Sequence, residues 1–171
     1  CDALYLDIHY MDGYRVFTWD SDRFADPRGL SDTLHRKGFR LVTIVDPGVK
    51  ADPEFAVYEE GVERGVFLRQ TDGTTYLGTV WPGDSVFPDF TDPIARGWWA
   101  KHLAQMLEIG VDGVWNDMNE PAVFGVETKT LPLDVVHRAD PDLGGTATHA
   151  RYHNVYGMQM SRATYRGLLE A

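Results

Sequence analysis

Three short apolar runs along the chain each end on an aspartate. Ala3-Leu4-Tyr5-Leu6 leads into Asp7, Arg40-Leu41-Val42-Thr43-Ile44-Val45 into Asp46, and Val111-Asp112-Gly113-Val114-Trp115-Asn116 into Asp117. The first two are nearly continuous in apolar residues, the pattern of strands buried on both faces of a parallel sheet. Helical punctuation separates the runs. Asp26-Pro27 supplies an N-cap and a first-turn proline, Leu30 and Leu34 lie about one turn apart, and Gly38 stops the segment. Asp92-Pro93 opens a longer helix whose Ala95, Trp98, Trp99, Leu103, Met106 and Leu107 fall on one face, with Gly110 as its stop. Tyr152 to Glu170 is the last helical stretch. Strands alternating with helices predict an α/β fold built on a parallel sheet.

Two long connections interrupt the alternation, at about residues 47–91 and 121–149. In the first, Val66–Gln70 and Thr75–Val80 flank Asp72-Gly73, which predicts a β-hairpin insertion. The second is rich in Pro, Gly, Asp and Thr and reads as a loop. Long insertions after strand ends are the habit of (β/α)8 barrels, whose active sites lie at the C-terminal face. A whole barrel takes about 250 residues, so residues 1–171 read as a partial catalytic TIM-barrel segment of about three or four units. The remainder of the barrel is then needed for function, and the missing starting Met agrees with a chain cut from a longer protein. An open doubly wound sheet is disfavoured, because no glycine-rich phosphate loop follows a strand.

Composition narrows the partners. With 16 Lys and Arg against 26 Asp and Glu the net charge is −10, and no basic run appears. That argues against nucleic acid or an anionic membrane and is compatible with a neutral sugar. No apolar run approaches the roughly 20 residues of a membrane span. Cys1 is the one cysteine and cannot form an internal disulfide, so the fold does not depend on an oxidising compartment. A cytoplasmic, bacterial-type location is expected, with lipidation of Cys1 as the minor alternative.

Among the strand-end carboxylates, Asp117 has the richest surroundings. Asn119 and Glu120 follow it, and Trp115, Met118 and Phe124 lie close in sequence. Glycoside chemistry needs carboxylates for catalysis, amides and acids for hydroxyls, and an aromatic face for the C–H surface of the ring. Asp46 beside Pro47 reads equally well as a turn former, Asp89 reads as one outright, and His153 reads as a helix-start hydrogen-bond donor. No Asp-x-Asp-x-Asp loop or His-x-x-x-His spacing joins Asp7, Asp46 and Asp117 into a metal site, so no metal is expected, and no other cofactor is implied.

The run Trp115-Asn116-Asp117-Met118-Asn119-Glu120-Pro121 resembles the signature of glycoside hydrolase family 31, the α-glucosidase family. Four more stretches match in the family's order: Leu6-Asp7-Ile8-His9-Tyr10-Met11, Ile44-Val45-Asp46-Pro47-Gly48, Val80-Trp81-Pro82-Gly83 with Phe87-Pro88-Asp89-Phe90, and His153-Asn154-Val155-Tyr156-Gly157. The resemblance implies a (β/α)8 barrel that releases glucose from the non-reducing end of α-glucosides with retention of configuration. It implies Asp117 as nucleophile; Glu120, the other catalytic candidate of the run, reads as a partner that orients its neighbours rather than as the nucleophile. Asp7 would hold glucose hydroxyls. Trp81, Trp115, Met118 and Phe124 would shape the pocket, and Val49 would fill a position usually held by Ile. His9 departs from the acid that many members carry there.

In the family the acid/base lies in a later strand-end motif, so it is expected beyond Ala171, and residues 1–171 alone are expected to be inactive. A transglycosidase or a lyase using the same intermediate stays open, as does a non-catalytic sugar-binding homologue or a homo-oligomer. Family members acting on α-xylosides tend to carry Lys-Thr-Asp-Phe-Gly-Glu-like motifs where this chain has Asn116-Asp117-Met118-Asn119-Glu120, which favours glucose.

Overall fold

The computed structural model describes residues 1–170; Ala171 lies outside the described residues. Strands β1 (Ala3–Leu6) and β2 (Arg40–Val45) pair in parallel, joined by α1 (Pro27–Arg36). Asp26 caps α1 by accepting from the Gly29 N–H at 2.9 Å, and Pro27 fills the first turn. The chain then makes β3 (Val49–Lys50), α2 (Ala56–Arg64), β4 (Gly78–Val80) and β5 (Gly83–Val86) before α3 (Pro93–Glu108). Strand β6 (Gly113–Asn116) returns to pair in parallel with β2, giving the order β1-β2-β6. A short hairpin, β7 (Val136–Arg138) with β8 (Thr146–Thr148), precedes α4 (His149–Glu170).

Each parallel strand is followed, at once or after an insertion, by a helix, so three βα units stand side by side. The middle strand is the most buried: Leu41, Thr43, Ile44 and Val45 have almost no exposed surface. On β1, Leu4 and Tyr5 are exposed, and β6 is only half-buried. Among the described residues β1 and β6 are the sheet's unpaired edges, the place where further barrel strands would add and, if left bare, a template for aggregation.

Four local features differ from expectation, the first being that the connection at residues 121–149, read as a loop, carries the β7–β8 hairpin. The hairpin at Asp72-Gly73 is reduced to isolated bridges, Arg69 with Thr75, backed by the Gln70 N–H to Thr74 carbonyl bond at 2.7 Å. The regular ladder is instead β3-β5-β4, turned at Trp81-Pro82. Helix α2 was not foreseen, because its N-cap, Phe55, offers no side-chain bond and Gly61 sits in its interior. That glycine is required by packing: a Cβ there would lie 2.3 Å from the Phe67 ring. Helix α3 is buried on more than the one expected face, including Arg96 and His102. Trp99 meets Phe17 and Phe90, while Trp98 meets Phe67 and His102.

The insertion and the parallel unit share one core, in which Phe67, Phe87 and Phe90 pack with Trp99, Tyr156 and Met160. A buried polar chain ties them further. Asp89 takes hydrogen bonds from Thr91 and from the Arg138 N–H, and one of its oxygens lies 3.0 Å from His137 Nδ1. His137 Nε2 meets His149 Nδ1 at 2.9 Å, and His149 Nε2 meets His153 Nδ1 at 3.1 Å. Asp89 is thus a buried anchor and not merely a turn former. Burial, helped by His137 and His153 on either side, pushes the His149 imidazole down to about 3, so it stays neutral within the chain.

Candidate active site

Parallel pairing places three aspartates at one end of the sheet. Val45 pairs with Asn116, so Asp46 and Asp117 follow side by side. Asp7 follows Leu6, which pairs with Thr43 on the other side of β2. Adjacent strands lie about 4.8 Å apart, so Asp46 and Asp117 are immediate neighbours, while Asp7 stands level with Ile44, short of Asp46 along the strand.

Within β6, alternation sends successive side chains to opposite faces. Asn116 turns toward the helix layer, where its Oδ1 accepts from Thr164 Oγ1 of α4 at 2.9 Å. Trp115 and Asp117, two apart, share the other face. Asp117 Oδ1 accepts from the Met118 N–H at 2.9 Å, and Met118 itself has φ +55°. Such a conformation costs about 1–3 kcal/mol in a non-glycine residue and tends to persist where the surroundings enforce it.

The surroundings here include α4. Gly157 packs on the loop after β6, and a Cβ there would meet the Asn119 carbonyl oxygen at 2.9 Å and the Asn119 side chain at 3.3 Å. Next to it, the Tyr156 hydroxyl donates to the Pro88 carbonyl at 3.0 Å. The His153–Gly157 motif therefore locks the Asp117 loop and the insertion to one helix. Gly157→Ala should destabilise the protein by about 1–3 kcal/mol, as overpacking does, and lower turnover by shifting residues 117–120. Denaturant unfolding together with steady-state kinetics checks this; unchanged values in both would mean the contact relaxes freely.

A cleft runs beside this row, lined by Met11, Tyr14, Asp46, Trp81, Pro82 and Met118. Trp81 and Phe124 are 46% and 37% exposed and stand edge to face, ring centroids 4.9 Å apart. The Phe124 N–H donates to the Thr79 carbonyl at 2.8 Å, and Lys50 Nζ donates to the Pro82 carbonyl at 2.6 Å, so both rings sit on braced backbone. Exposed aromatic faces held this rigidly suit the apolar side of a sugar ring. The Tyr10 hydroxyl donates to the Ile44 carbonyl at 2.8 Å, fixing the loop that carries Asp7, Met11 and Tyr14. His9 is exposed and lies edge-on to Tyr14. His153, on the first turns of α4, closes the histidine chain as the expected hydrogen-bonding residue of the helix start.

The structure brings Asp7, Trp81, Trp115, Asp117, Met118 and Phe124 to this end of the molecule, and two expected residues behave otherwise. Val49 has no exposed surface; it belongs to β3, paired with Val86, and the residues after β2 that reach the cleft are Asp46, Pro47 and Gly48. Glu120 is exposed and makes no side-chain hydrogen bond among the described residues, so it does not orient its neighbours that way. Asp7 is exposed as well, and one of its oxygens caps the turn Ile8–Tyr10 through the Ile8 N–H at 2.7 Å.

Sequence reasoning undervalued Asp46. It is only 8% exposed, and burial, reinforced by Asp117, Asp7 and Glu120, pushes its carboxyl up to about 7. The signal was available in its place at the end of the most apolar strand, since a carboxylate closing such a strand is set in low-dielectric surroundings. Among the described residues no three His, Cys, Asp or Glu side chains are placed so that they could hold a metal ion.

Comparison with known proteins points to one family. The model of the glycosyl hydrolases family 31 TIM-barrel domain matches residues 1–171. Alpha-glucosidase 2 of Bacillus thermoamyloliquefaciens is 50% identical over 167 residues, covering 98% of this chain and 21% of the relative. Human neutral alpha-glucosidase AB is 41% identical over 171 residues, covering 98% and 18% respectively. Among solved structures, a glucosidase II alpha subunit with alpha3-Glc2 bound superposes with a TM-score of 0.89 at 35% identity, covering 98% of this chain and 18% of that one. The chain thus spans about a fifth of the length of the curated relatives it matches.

Proposed function

The chain belongs to glycosyl hydrolase family 31, its sheet and helices being part of that family's TIM barrel, and on that premise we propose that it carries the nucleophile of a retaining α-glucosidase. The observation that carries the reading is Asp117: a strand-end carboxylate steadied by its own loop, sharing a strand face with Trp115, beside a cleft walled by Trp81 and Met118.

In this reading Asp117 attacks the anomeric carbon of a terminal α-linked glucose while a proton donor protonates the departing oxygen. The glycosyl–Asp117 ester forms as the glycosidic bond breaks, and water then hydrolyses it with the same group acting as base. A retaining pair stands about 5–5.5 Å apart, and the donor is supplied from outside residues 1–170. Asp7 has one oxygen on the Ile8 N–H and directs the other to sugar hydroxyls, while Trp81, Trp115, Met118 and Phe124 take the apolar face of the ring. The substrate is an α-glucoside or small α-linked oligosaccharide, as the names of the α-glucosidase relatives suggest.

The test is to incubate the intact protein with a nitrophenyl α-glucoside and follow the first product by proton NMR. Initial release of α-glucose supports retention. Initial β-glucose would mean inversion and remove the nucleophile role. A new glucoside would indicate a transglycosidase, an unsaturated sugar a lyase, and binding without turnover a sugar-binding homologue.

A further inference from the structure

Asp46 has no part in the mechanism above, yet it is the most buried acid of the row. It closes β2, the central strand, so Asp7 stands on one side and Asp117 on the other. It lines the cleft, and its Oδ1 is inaccessible and without a hydrogen-bond partner among the described residues. The charged groups that act on it, Asp117, Asp7 and Glu120, are all acidic. Two tyrosines stand nearby: Tyr14, which lines the same cleft, and the buried Tyr10, whose proton is committed to the Ile44 carbonyl. A buried carboxylate oxygen with neither donor nor cation is costly, and three like charges on adjacent strands repel. A single proton on the central acid relieves both.

We propose that Asp46 is a positioning residue that stands protonated between two carboxylates, a neutral hydrogen-bond donor in the cleft that keeps Asp117 the charged member of the pair. The proposal rests on the reading of Asp117 as nucleophile. No bond is made or broken by Asp46; its proton stays on its own carboxyl through the cycle.

Two consequences are measurable. The unfolded chain releases the Asp46 proton in the ordinary carboxylate range, near pH 4, whereas the folded protein holds it up to about pH 7. Stability contributed by this group is therefore full below about pH 4 and is lost as pH rises toward 7. Asp46→Asn cannot ionise, so the melting temperature of this variant of the intact protein should exceed wild type by a gap that opens between these limits and levels off above them. For activity, α-glucosyl fluoride is the substrate of choice, because fluoride departs with little help from a proton donor. Wild-type kcat/KM on it should fall about tenfold per pH unit above 7, as for loss of one required proton. Asp46→Asn should stay within about threefold of wild type at pH 6 and lose that fall.

Parallel melting profiles for the two proteins, or an unchanged alkaline fall in the variant, would overturn the proposal. Infrared titration of wild type minus Asp46→Asn isolates this group from the proton donor of the mechanism: one carboxylic-acid carbonyl band should stand in the difference at pH 6 and vanish by pH 8, and its absence at pH 6 would also overturn the proposal. If wild type cleaves no α-glucoside, the functional reading fails, while the melting and infrared results still decide the state of Asp46.

Discussion

Replacing Asp117 with Ala should reduce turnover by about 10⁴-fold or more, the scale on which loss of a covalent nucleophile acts, while leaving the fold intact. Apart from its own Met118 N–H, the carboxyl of Asp117 makes no hydrogen bond among the described residues. Its removal also relieves repulsion on Asp46. Melting temperature should therefore hold or rise even as activity disappears, and a functional residue is where those two quantities are expected to part. Thermal melting and single-turnover kinetics on the intact protein check both halves. A variant that keeps more than a few per cent of wild-type activity would move the nucleophile elsewhere.

The second large effect is expected at Asp7. Hydrogen bonds to sugar hydroxyls that strengthen in the transition state supply several kcal/mol, and about 3–4 kcal/mol corresponds to about 10²–10³ in rate. Asp7→Ala should lose that much in kcat/KM. Because Asp7 also caps the turn Ile8–Tyr10, the loss must be separated from a local unfolding effect. Asn caps as well as Asp does, so Asp7→Asn keeps the turn and loses only the charge. Both variants should be crippled, with Asp7→Asn melting near wild type. If Asp7→Asn were fully active and Asp7→Ala merely less stable, capping would be the residue's whole role.

How far the sequence reached depended on whether a feature is local. The parallel strands were legible because each is an apolar run closed by an aspartate, and α1 and α3 because Asp26-Pro27 and Asp92-Pro93 announce their starts. The row Asp7, Asp46 and Asp117 followed from strand ends alone. What escaped depends on distant partners. The family resemblance makes Val49 a pocket residue, yet β3 turns it against Val86. Glu120 belongs to the same signature as Asp117, but the loop leaves it exposed. The tetrad Asp89, His137, His149 and His153 joins a loop, β7 and α4, and although His149 and His153 lie one turn apart on the helix, no spacing rule links them to His137 and Asp89. Asp46 was half visible: its position suggested chemistry, its neighbour Pro47 suggested a turn, and only burial separates the two.

The central claim, that Asp117 forms a covalent bond to the sugar, has one direct test. The intact protein is incubated with a slow-reacting fluorinated α-glucosyl substrate, digested, and the labelled peptide sequenced by mass spectrometry. The expected result is one added glycosyl mass on the peptide containing Trp115 to Asn119, located on Asp117. A label on Glu120, Asp7 or Asp46, or steady turnover with no label on Asp117, would contradict it.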